Sequence, residues 1–579
     1  MNLSYSPNPP LGGFWFWRLD FFEYLCFYSF SSQNTGKDGL MFGTWFLFVM
    51  MFVFAIAGLA SLAKASDDDN PVLGILGGIL LLASVGCLVG WLLLWGPWFQ
   101  PLWFHVFFNN LGFWLVLVLI IGTVAALVAT VVGLATGEWA TGAGTFMLVF
   151  VVGFVVWMSV YWVLGGKWTL SKVYQQETYN EIRALPDTSA VRFLPLEVAR
   201  IYGRAKLQEP RIHLGDAEPI VRGNEVLWIM PRTPKGFWNE TLRRADGFAI
   251  VDNEGNVEMF RQEMSVGEGM DGRDAISWKL RQTRYWSTVN EVYYVQDTDG
   301  TVVAVAPFMD YSFSWPVMVP KWGGVFLVHS DGRIETLTPA KAMEHSLLKD
   351  VRIVPEKWAR LKVEAYALKN GIRNSITTHE DQVQIPSVST IAGGNEMPFL
   401  LPTTNGQKWF VATVPWGAEG IFRVFLVDAI TGFVELFPMP KDSSVIGPLR
   451  ARPLIVDAYP QYKWDQLDIL EPRPIIRFGE FFWMFTVTTS SHTGVTDTIL
   501  VNARTHEVLS LGTKKDTILR FLRGEDVGRL VSTGIQEREG EGTQNLPVGP
   551  VDAAEVDEAI RQLEEALQVL KRYRESLLR

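Results

Sequence analysis

Hydrophobic positions divide this chain into two parts with different patterns. Between residues 41 and 168, four apolar runs contain no Asp, Glu, Lys, Arg or His. A helix that crosses a bilayer needs roughly 20 mostly apolar residues, and each run is about that long. The pattern therefore predicts a four-helix transmembrane bundle over 41–168. The predicted spans cover residues 43–63, 72–95, 113–136 and 145–164.

The second predicted span has one face without side-chain bulk. Its glycines recur at multiples of four residues, so they lie on one side of a helix, where a neighbouring backbone can approach closely. These glycines are Gly74, Gly78, Gly86 and Gly90. Two uses of this face remain open: packing against another span of the same chain, and contact with a second copy.

Residues 1–40 precede the spans and are crowded with aromatic side chains between Leu11 and Phe30. Aromatic rings favour the headgroup region of a membrane, so this stretch is predicted to be an interfacial segment. A start of translation at Met41 is the alternative explanation.

From about Leu185 the pattern changes to short strands joined by turns. One sequence pattern recurs around Gly255, Gly300, Gly332 and Gly432. It consists of an apolar strand, a turn that contains Asp or Asn and Gly, and a second strand. Gly supplies the positive φ of a tight hairpin, and Asp or Asn bonds back to its own backbone. The intervals of 45, 32 and 100 residues do not indicate a regular propeller or solenoid.

The recurring hairpins predict a large β-rich α+β region in two parts, 169–338 and 339–523. Helices are predicted over Pro195–Leu207 and Pro355–Asn370. The segment Val427-Asp-Ala-Ile-Thr-Gly-Phe-Val434 after the second helix resembles the PepSY-type domain. This resemblance implies small α+β modules that are usually extracytoplasmic, with an inhibitory or regulatory role.

The C-terminal end has its own pattern. Residues 524–552 are rich in Gly, Glu, Gln and Pro, which predicts a flexible linker. Residues 553–579 form an amphipathic helix with a heptad-like apolar seam, which predicts a short coiled coil. The seam consists of Val556, Ile560, Leu563, Leu567, Leu570 and Leu577. The alternative is a helix that folds back on its own domain.

The number and distribution of charged residues bear on the partners and the location of the protein. The formal net charge is −10, with 51 basic and 61 acidic residues. A mild acidic excess outside the spans argues against a nucleic-acid-binding protein. Basic residues flank the predicted spans mostly on the side of the two termini. This bias predicts an integral membrane protein of the cell membrane with both termini in the cytoplasm.

Candidate chemistry is sparse. The chain contains two cysteines, and no P-loop, zinc-protease, dinucleotide-binding or serine-hydrolase motif. The sequence therefore predicts no catalytic, cofactor-binding or metal-ligating residue. His379, Glu380 and Asp381 are adjacent, but neighbouring residues of a strand point to opposite faces. His492 is expected in an exposed turn, and His105 in an interfacial loop.

Two functions follow from these patterns. The first is a membrane-anchored scaffold, interaction or regulatory protein, with membrane lipid and a protein partner or a second copy as partners. The second is a membrane-bound, hydrolase-like enzyme whose site is assembled from distant residues. The lack of catalytic motifs favours the first.

Overall fold

A computed structural model of the chain describes residues 50–62, 64, 71–94, 122 and 164–525, with gaps at 224, 237–238, 241–242, 271–273, 298, 316, 389–393, 441–444 and 493. The chain divides into two compact units, Met1–Thr533 and Gly534–Arg579. The predicted interfacial segment, His105, most of the linker and the coiled-coil seam lie outside the described residues, so these predictions remain untested.

The predicted transmembrane bundle is not supported. Helix α1 covers 50–62, and α2 covers Pro71–Leu94, of which only 74–88 is continuously described with side chains. Among the described residues, no helix combines the length and the hydropathy required to cross a membrane. This finding contradicts the predicted four-helix transmembrane domain, the multi-pass assignment and the integral membrane location.

The two N-terminal helices approach each other at glycines other than those predicted. A Cβ on Gly77 would lie 2.9 Å from the carbonyl oxygen of Gly58, so both positions require a hydrogen as side chain. A Cβ on Gly78 or Gly86 would meet nothing within 4 Å. The third and fourth predicted spans, which were the expected partners of the Gly74–Gly90 face, lie almost wholly outside the described residues.

Residues 164–525 form four sheets, whose named strands all pair antiparallel except β1, and several helices. Helix α3 covers 164–176 and is followed by β1, Tyr179–Glu181. Sheet 1 contains β2 (Ile212–Leu214), β3 (Glu218–Arg222), β4 (Glu225–Pro234), β5 (Ala245–Val251) and β6 (Val257–Met264). Sheet 2 contains β7 (Ser287–Val289), β8 (Tyr293–Gln296), β9 (Val302–Ser314), β10 (Val317–His329) and β11 (Ile334–Leu337).

The other two sheets repeat this plan. Sheet 3 contains β12 (Val383–Gln384), β13 (Phe399–Thr403), β14 (Gly406–Pro415), β15 (Arg423–Asp428) and β16 (Val434–Pro438), and β1 pairs with β16 in parallel. Sheet 4 contains β17 (Leu467–Arg477), β18 (Glu480–Thr489), β19 (Val495–Asn502) and β20 (Val508–Ser510). The helices are α4 (Leu196–Lys206), α5 (Ile276–Thr283), α6 (Pro339–Glu344), α7 (Glu356–Tyr366), α8 (Gly371–Thr377), α9 (Pro448–Ala458) and α10 (Lys515–Leu522), with a 3-10 turn at Ser346–Leu348.

When the two pieces of an interrupted first strand are counted as one strand, each sheet contains a four-stranded antiparallel meander with the same register. In sheet 1, Trp228 of the second strand pairs with Val251 of the third, and Val251 pairs with Val257 of the fourth. The equivalent trios are Ala304, Val328 and Ile334 in sheet 2, Trp409, Val427 and Val434 in sheet 3, and Trp483, Val501 and Val508 in sheet 4. The same unit of one helix and four strands therefore occurs four times.

The hairpin glycines fall into two groups, which explains their irregular spacing. Gly255, Gly332 and Gly432 lie between the third and fourth strands of a meander, whereas Gly300 lies between the first and second. All four have positive φ. The side chain that opens the turn caps it: Asp252 accepts from the backbone N–H of Glu254 at 2.9 Å. The four predicted hairpins are confirmed, and their irregular intervals arise because Gly300 belongs to a different hairpin of its sheet.

Four hydrophobic junctions close the sheets into a ring. Sheets 1 and 2 share a core that includes the stacked rings of Phe248 and Tyr294, with centroids 5.9 Å apart. Sheets 3 and 4 meet at Phe410 and Trp483. Sheets 1 and 4 share a third cluster, and α7 joins sheet 2 to sheet 3 through Trp358. One helix fills each junction: α5, α9, α4 and α7 respectively. This arrangement corresponds to a four-bladed β-propeller.

The first strand of every sheet is interrupted at a similar position. Strands β2 and β3 pair with successive parts of β4, as β7 and β8 do with β9, and β12 and β13 with β14. In sheet 4 the interruption is a β-bulge between Leu470 and Arg473. A bulge or break re-aims the side chains beside it. Asp216, Glu291, Asn395 and Glu471 lie in these four interruptions.

Candidate ligand site at the centre of the four sheets

Two arginines at equivalent places organise the centre. Arg192 lies four residues before the first residue of α4, and Arg352 lies four residues before the first residue of α7. Each is buried, with 6% and 2% relative exposure. The proline that precedes each helix, Pro195 or Pro355, starts it without needing a backbone N–H. The centre therefore receives one guanidinium from each half of the chain.

Each arginine pairs with a glutamate from an interrupted first strand. Arg192 forms an ion pair with Glu471, whose other oxygen accepts from the backbone N–H of Leu196 at 3.0 Å. Arg352 pairs with Glu291 at 2.8 Å, whose other oxygen accepts from the backbone N–H of Glu356 at 3.0 Å. Each glutamate thus pairs with one guanidinium and accepts from one backbone N–H at a helix start.

The residues two positions after the two glutamates, Arg473 and Tyr293, also have equivalent roles, since each donates to a backbone carbonyl of the arginine segment with which its glutamate pairs. Arg473 donates to the carbonyl oxygens of Arg192 and Phe193 at 2.7 and 2.6 Å. The Tyr293 hydroxyl donates to the carbonyl oxygen of Arg352. Glu471 has φ +36°, a rare value for a residue with a side chain, and the bulge in β17 accommodates it.

A buried tryptophan ring packs against the guanidinium group of each arginine. The Arg192 guanidinium lies 4.4 Å from the ring centroid of Trp228, and that of Arg352 lies 5.1 Å from Trp409. The indole N–H of Trp228 donates to the Leu194 carbonyl at 2.9 Å. That of Trp409 donates to the Val354 carbonyl at 3.0 Å. The cation–π contact and the hydrogen bond together fix the segment that carries each arginine.

Among the differences between the two copies, two place a carboxyl group near Arg352. The first residue of α4 is Leu196, whereas the first residue of α7 is Glu356. Glu218 at the start of β3 occupies the position that Phe399 has at the start of β13. Glu218 accepts a second bond from Arg352 at 2.5 Å. The fold accommodates apolar side chains at both positions, so the carboxyl groups are additions to the repeated framework.

Both added carboxyl groups line a cavity of about 230 Å³ between sheets 1 and 3, which lie on opposite sides of the ring. The lining residues are Arg192, Leu196, Arg200, Asp216, Ala217, Glu218, Pro219, Trp228, Glu356, Asn395, Pro398, Leu400 and Trp409. Because first strands from opposite sheets share it, the cavity lies at the centre of the ring.

Burial and neighbouring carboxylates shift the acidity of these groups. Burial, with Glu291 and Glu218 nearby, raises the pKa of Glu356 to about 8. Burial raises the pKa of Glu218 to about 7, against the opposing effect of Arg352. Burial also raises the pKa of Glu268, which accepts from the Tyr294 hydroxyl at 2.9 Å, to about 8. Several carboxyl groups at the centre therefore change protonation near neutral pH.

The residues considered from sequence lie elsewhere. His379 has φ +53° and stacks on Trp416, while Asp381 pairs with Lys369 and Arg423. His492 lies 3.0 Å from Asp468. Within the described ranges, no group of three or more His, Cys, Asp or Glu side chains is placed to hold a metal ion.

A sequence signal for the centre exists and was missed. Residues 191–201 read V-R-F-L-P-L-E-V-A-R-I, and residues 351–361 read V-R-I-V-P-E-K-W-A-R-L. The shared pattern of Val, Arg, two apolar residues, Pro, and then Ala-Arg-apolar marks both arginine segments. The glutamates had no such signal, because an acidic residue beside a short strand is common.

No protein-family model, no curated protein and no solved structure matches the chain. The resemblance of Val427–Val434 to PepSY-type domains stays a prediction. That segment forms the hairpin between β15 and β16 of sheet 3.

Proposed function

We propose that this chain binds a small molecule in the central cavity. The observation that carries the proposal is the Glu356 carboxylate. It lines the cavity, and within the part of the chain that the structure describes it forms no hydrogen bond or ion pair. Glu218, by contrast, is held by Arg352, and Arg192 is held by Glu471.

Folding alone does not account for this carboxyl group. A partly buried charge without a partner costs free energy, and the group either finds a partner or takes up a proton. The equivalent position in the first half carries Leu196, so the helix start does not need a carboxylate. A ligand that bonds to Glu356 would offset the cost of burying it.

The lining has the mixed character of a ligand site. Leu196, Pro219, Pro398 and Leu400 supply apolar surface, and Asn395 and the charged groups supply directional bonds. Sites for drug-sized ligands usually measure roughly 300–1,000 Å³. A cavity of about 230 Å³ fits a smaller ligand.

The enzyme alternative has one supporting observation. Glu218 and Glu356 line one cavity with pKa values of about 7 and 8, where a carboxyl group can donate or accept a proton at neutral pH. Turnover of a bound small molecule that is lost in Glu356→Gln would support it. The scaffold or interaction function and its expected partners stay predictions.

A ligand screen tests the binding proposal. Saturation-transfer NMR with a mixture of small neutral, anionic and cationic fragments should give signals with the full chain. Ala217→Phe fills the cavity, so it should abolish them, while the matched variant Ala418→Phe on an exposed loop should not. Equal signals from both variants would overturn the proposal. If Ala217→Phe melts early, Asn395→Tyr provides a second way to fill the cavity.

A further inference from the structure

We infer that the ligand of the central cavity is a small organic cation, an alkylammonium whose charge faces Glu356 and Glu218. This inference rests on the proposed function and adds the chemical class of the ligand. Its basis is the charge balance of the groups that surround the cavity.

Carboxyl groups outnumber arginines in the network around the cavity. The arginines are Arg192, Arg200, Arg352, Arg360 and Arg473. The carboxyl groups are Glu197, Asp216, Glu218, Glu268, Glu291, Glu356 and Glu471. If all of them were ionised, the centre would carry an acidic excess in a poorly solvated place, which is costly. A bound cation reduces this excess, and a bound anion increases it.

The position of the free carboxylate fits this class. The ion pairs already formed use the carboxylates of Glu471 and Glu291, whose exposure is only 7% and 8%. Glu356 keeps its carboxyl group at the cavity wall, and Glu218 lies beside Arg352 with 21% of its side chain exposed. An ammonium group donates up to three hydrogen bonds, so it can bond to both carboxylates at once.

The other cavity walls favour an organic cation over a metal ion. The described residues provide no cluster of three ligating side chains, which a metal site needs. Leu196 and Leu400 offer apolar surface to an alkyl chain. The indole rings of Trp228 and Trp409 already face the guanidinium groups of Arg192 and Arg352. The carboxylates of Glu356 and Glu218 are therefore the groups that would bind the positive charge of the ligand.

Binding should be linked to proton release. The charged groups that act on Glu356 are Glu218, Glu291, Arg192, Arg352 and Arg360. An alkylammonium stays protonated up to about pH 10, as a lysine side chain does. A cation that binds the ionised form of Glu356 must displace its proton at neutral pH, so affinity should increase as the pH rises from 6 to 8.5.

Calorimetric titration with three probes tests this inference: n-butylammonium, n-butanol and butyrate. With the full chain at pH 7.5, butylammonium should bind at least tenfold more tightly than butanol and release part of a proton, measured in buffers of different ionisation enthalpy. Glu356→Gln should weaken butylammonium at least tenfold, remove the proton release and leave butanol unchanged. Glu356→Leu introduces the residue that the first copy has at the equivalent position, Leu196, and should have the same effects as Glu356→Gln. Glu419→Gln, on the exposed surface, should match the parent.

The outcomes separate the two proposals. If butanol or butyrate binds as tightly as butylammonium, and Ala217→Phe abolishes that binding, the cavity binds a ligand but the cation class is wrong. If Glu356→Gln leaves butylammonium affinity and proton release unchanged, the inference is also wrong. If none of the probes binds, the cation inference is overturned, and the fragment screen decides the proposed function separately.

Discussion

Arg352 repeats the place of Arg192: each stacks on a buried tryptophan and pairs with a glutamate that also accepts from a helix-start N–H. One difference between them is Glu218, which bonds to Arg352 alone. The centre of the ring is therefore built on a shared framework with one acidic half. Because the extra carboxyl groups lie on one side of the cavity, a charged ligand would bind there in one orientation.

Loss of Arg352 should be strongly destabilising. Arg352→Met leaves Glu218 and Glu291 without their partner, and such a change costs about 3–5 kcal/mol. The loss should be greater at pH 8 than at pH 5, since protonation relieves the unpaired carboxylates. Denaturant unfolding measures it. Arg222→Met, which breaks an exposed pair with Glu258, should change stability by less than about 1 kcal/mol. Equal losses from the two variants would contradict the framework role of Arg352.

Three of the buried tryptophans should stabilise the fold equally through the hydrogen bonds of their indole N–H groups. Trp228, Trp409 and Trp483 donate to backbone carbonyls at 2.9, 3.0 and 3.0 Å. Each Trp→Phe variant removes the donor and some buried area, so we expect a loss of about 2–3 kcal/mol per site. Trp416→Phe, at an exposed position, is the control and should lose far less. A site that tolerates the change would mean that its sheet does not depend on this contact.

Stability should fall as the pH rises through the range set by Glu356. Its pKa is about 8 in the folded chain and near 4.5 when unperturbed, so the folded state binds more protons between these values. The contribution to stability is therefore largest below about pH 4.5 and declines up to about pH 8. Glu356→Gln should flatten this decline and raise stability at pH 8 by on the order of 2 kcal/mol, reduced for partial exposure. Melting curves across this pH range provide the check. A parallel decline in Glu364→Gln and Glu356→Gln would show that other groups are responsible.

The sequence contained much of the local structure and little of its assembly. Turn chemistry predicted the hairpins at Gly255, Gly332 and Gly432, because Gly at positive φ and an Asx cap are local requirements. The four-sheet ring was not predicted, since pairing and closure depend on contacts between distant strands. Gly300 belongs to a different hairpin type from the other three glycines, so the spacing of all four glycines does not show the repeat.

The apolar runs between residues 41 and 168 led to a wrong prediction. Hydropathy was interpreted as four spans, but no described helix has the length and apolar character that a crossing requires. The central cavity was missed for a different reason. Its lining comes from separated stretches, 192–200, 216–219 and 395–400, together with Trp228, Glu356 and Trp409, and each is unremarkable alone. Only the repeated V-R-x-x-P pattern around Arg192 and Arg352 could have indicated that two of these stretches are equivalent.

The most direct test of the central claim is an experimental structure of the full chain after soaking or mixing with the fragments that give NMR signals. The account predicts ligand density inside the cavity, in contact with Glu356 and within reach of Glu218 and Leu400. Density at that position in the parent, and its loss in Ala217→Phe, would establish the site. Ligand bound only elsewhere on the chain, with the cavity empty, would contradict the account.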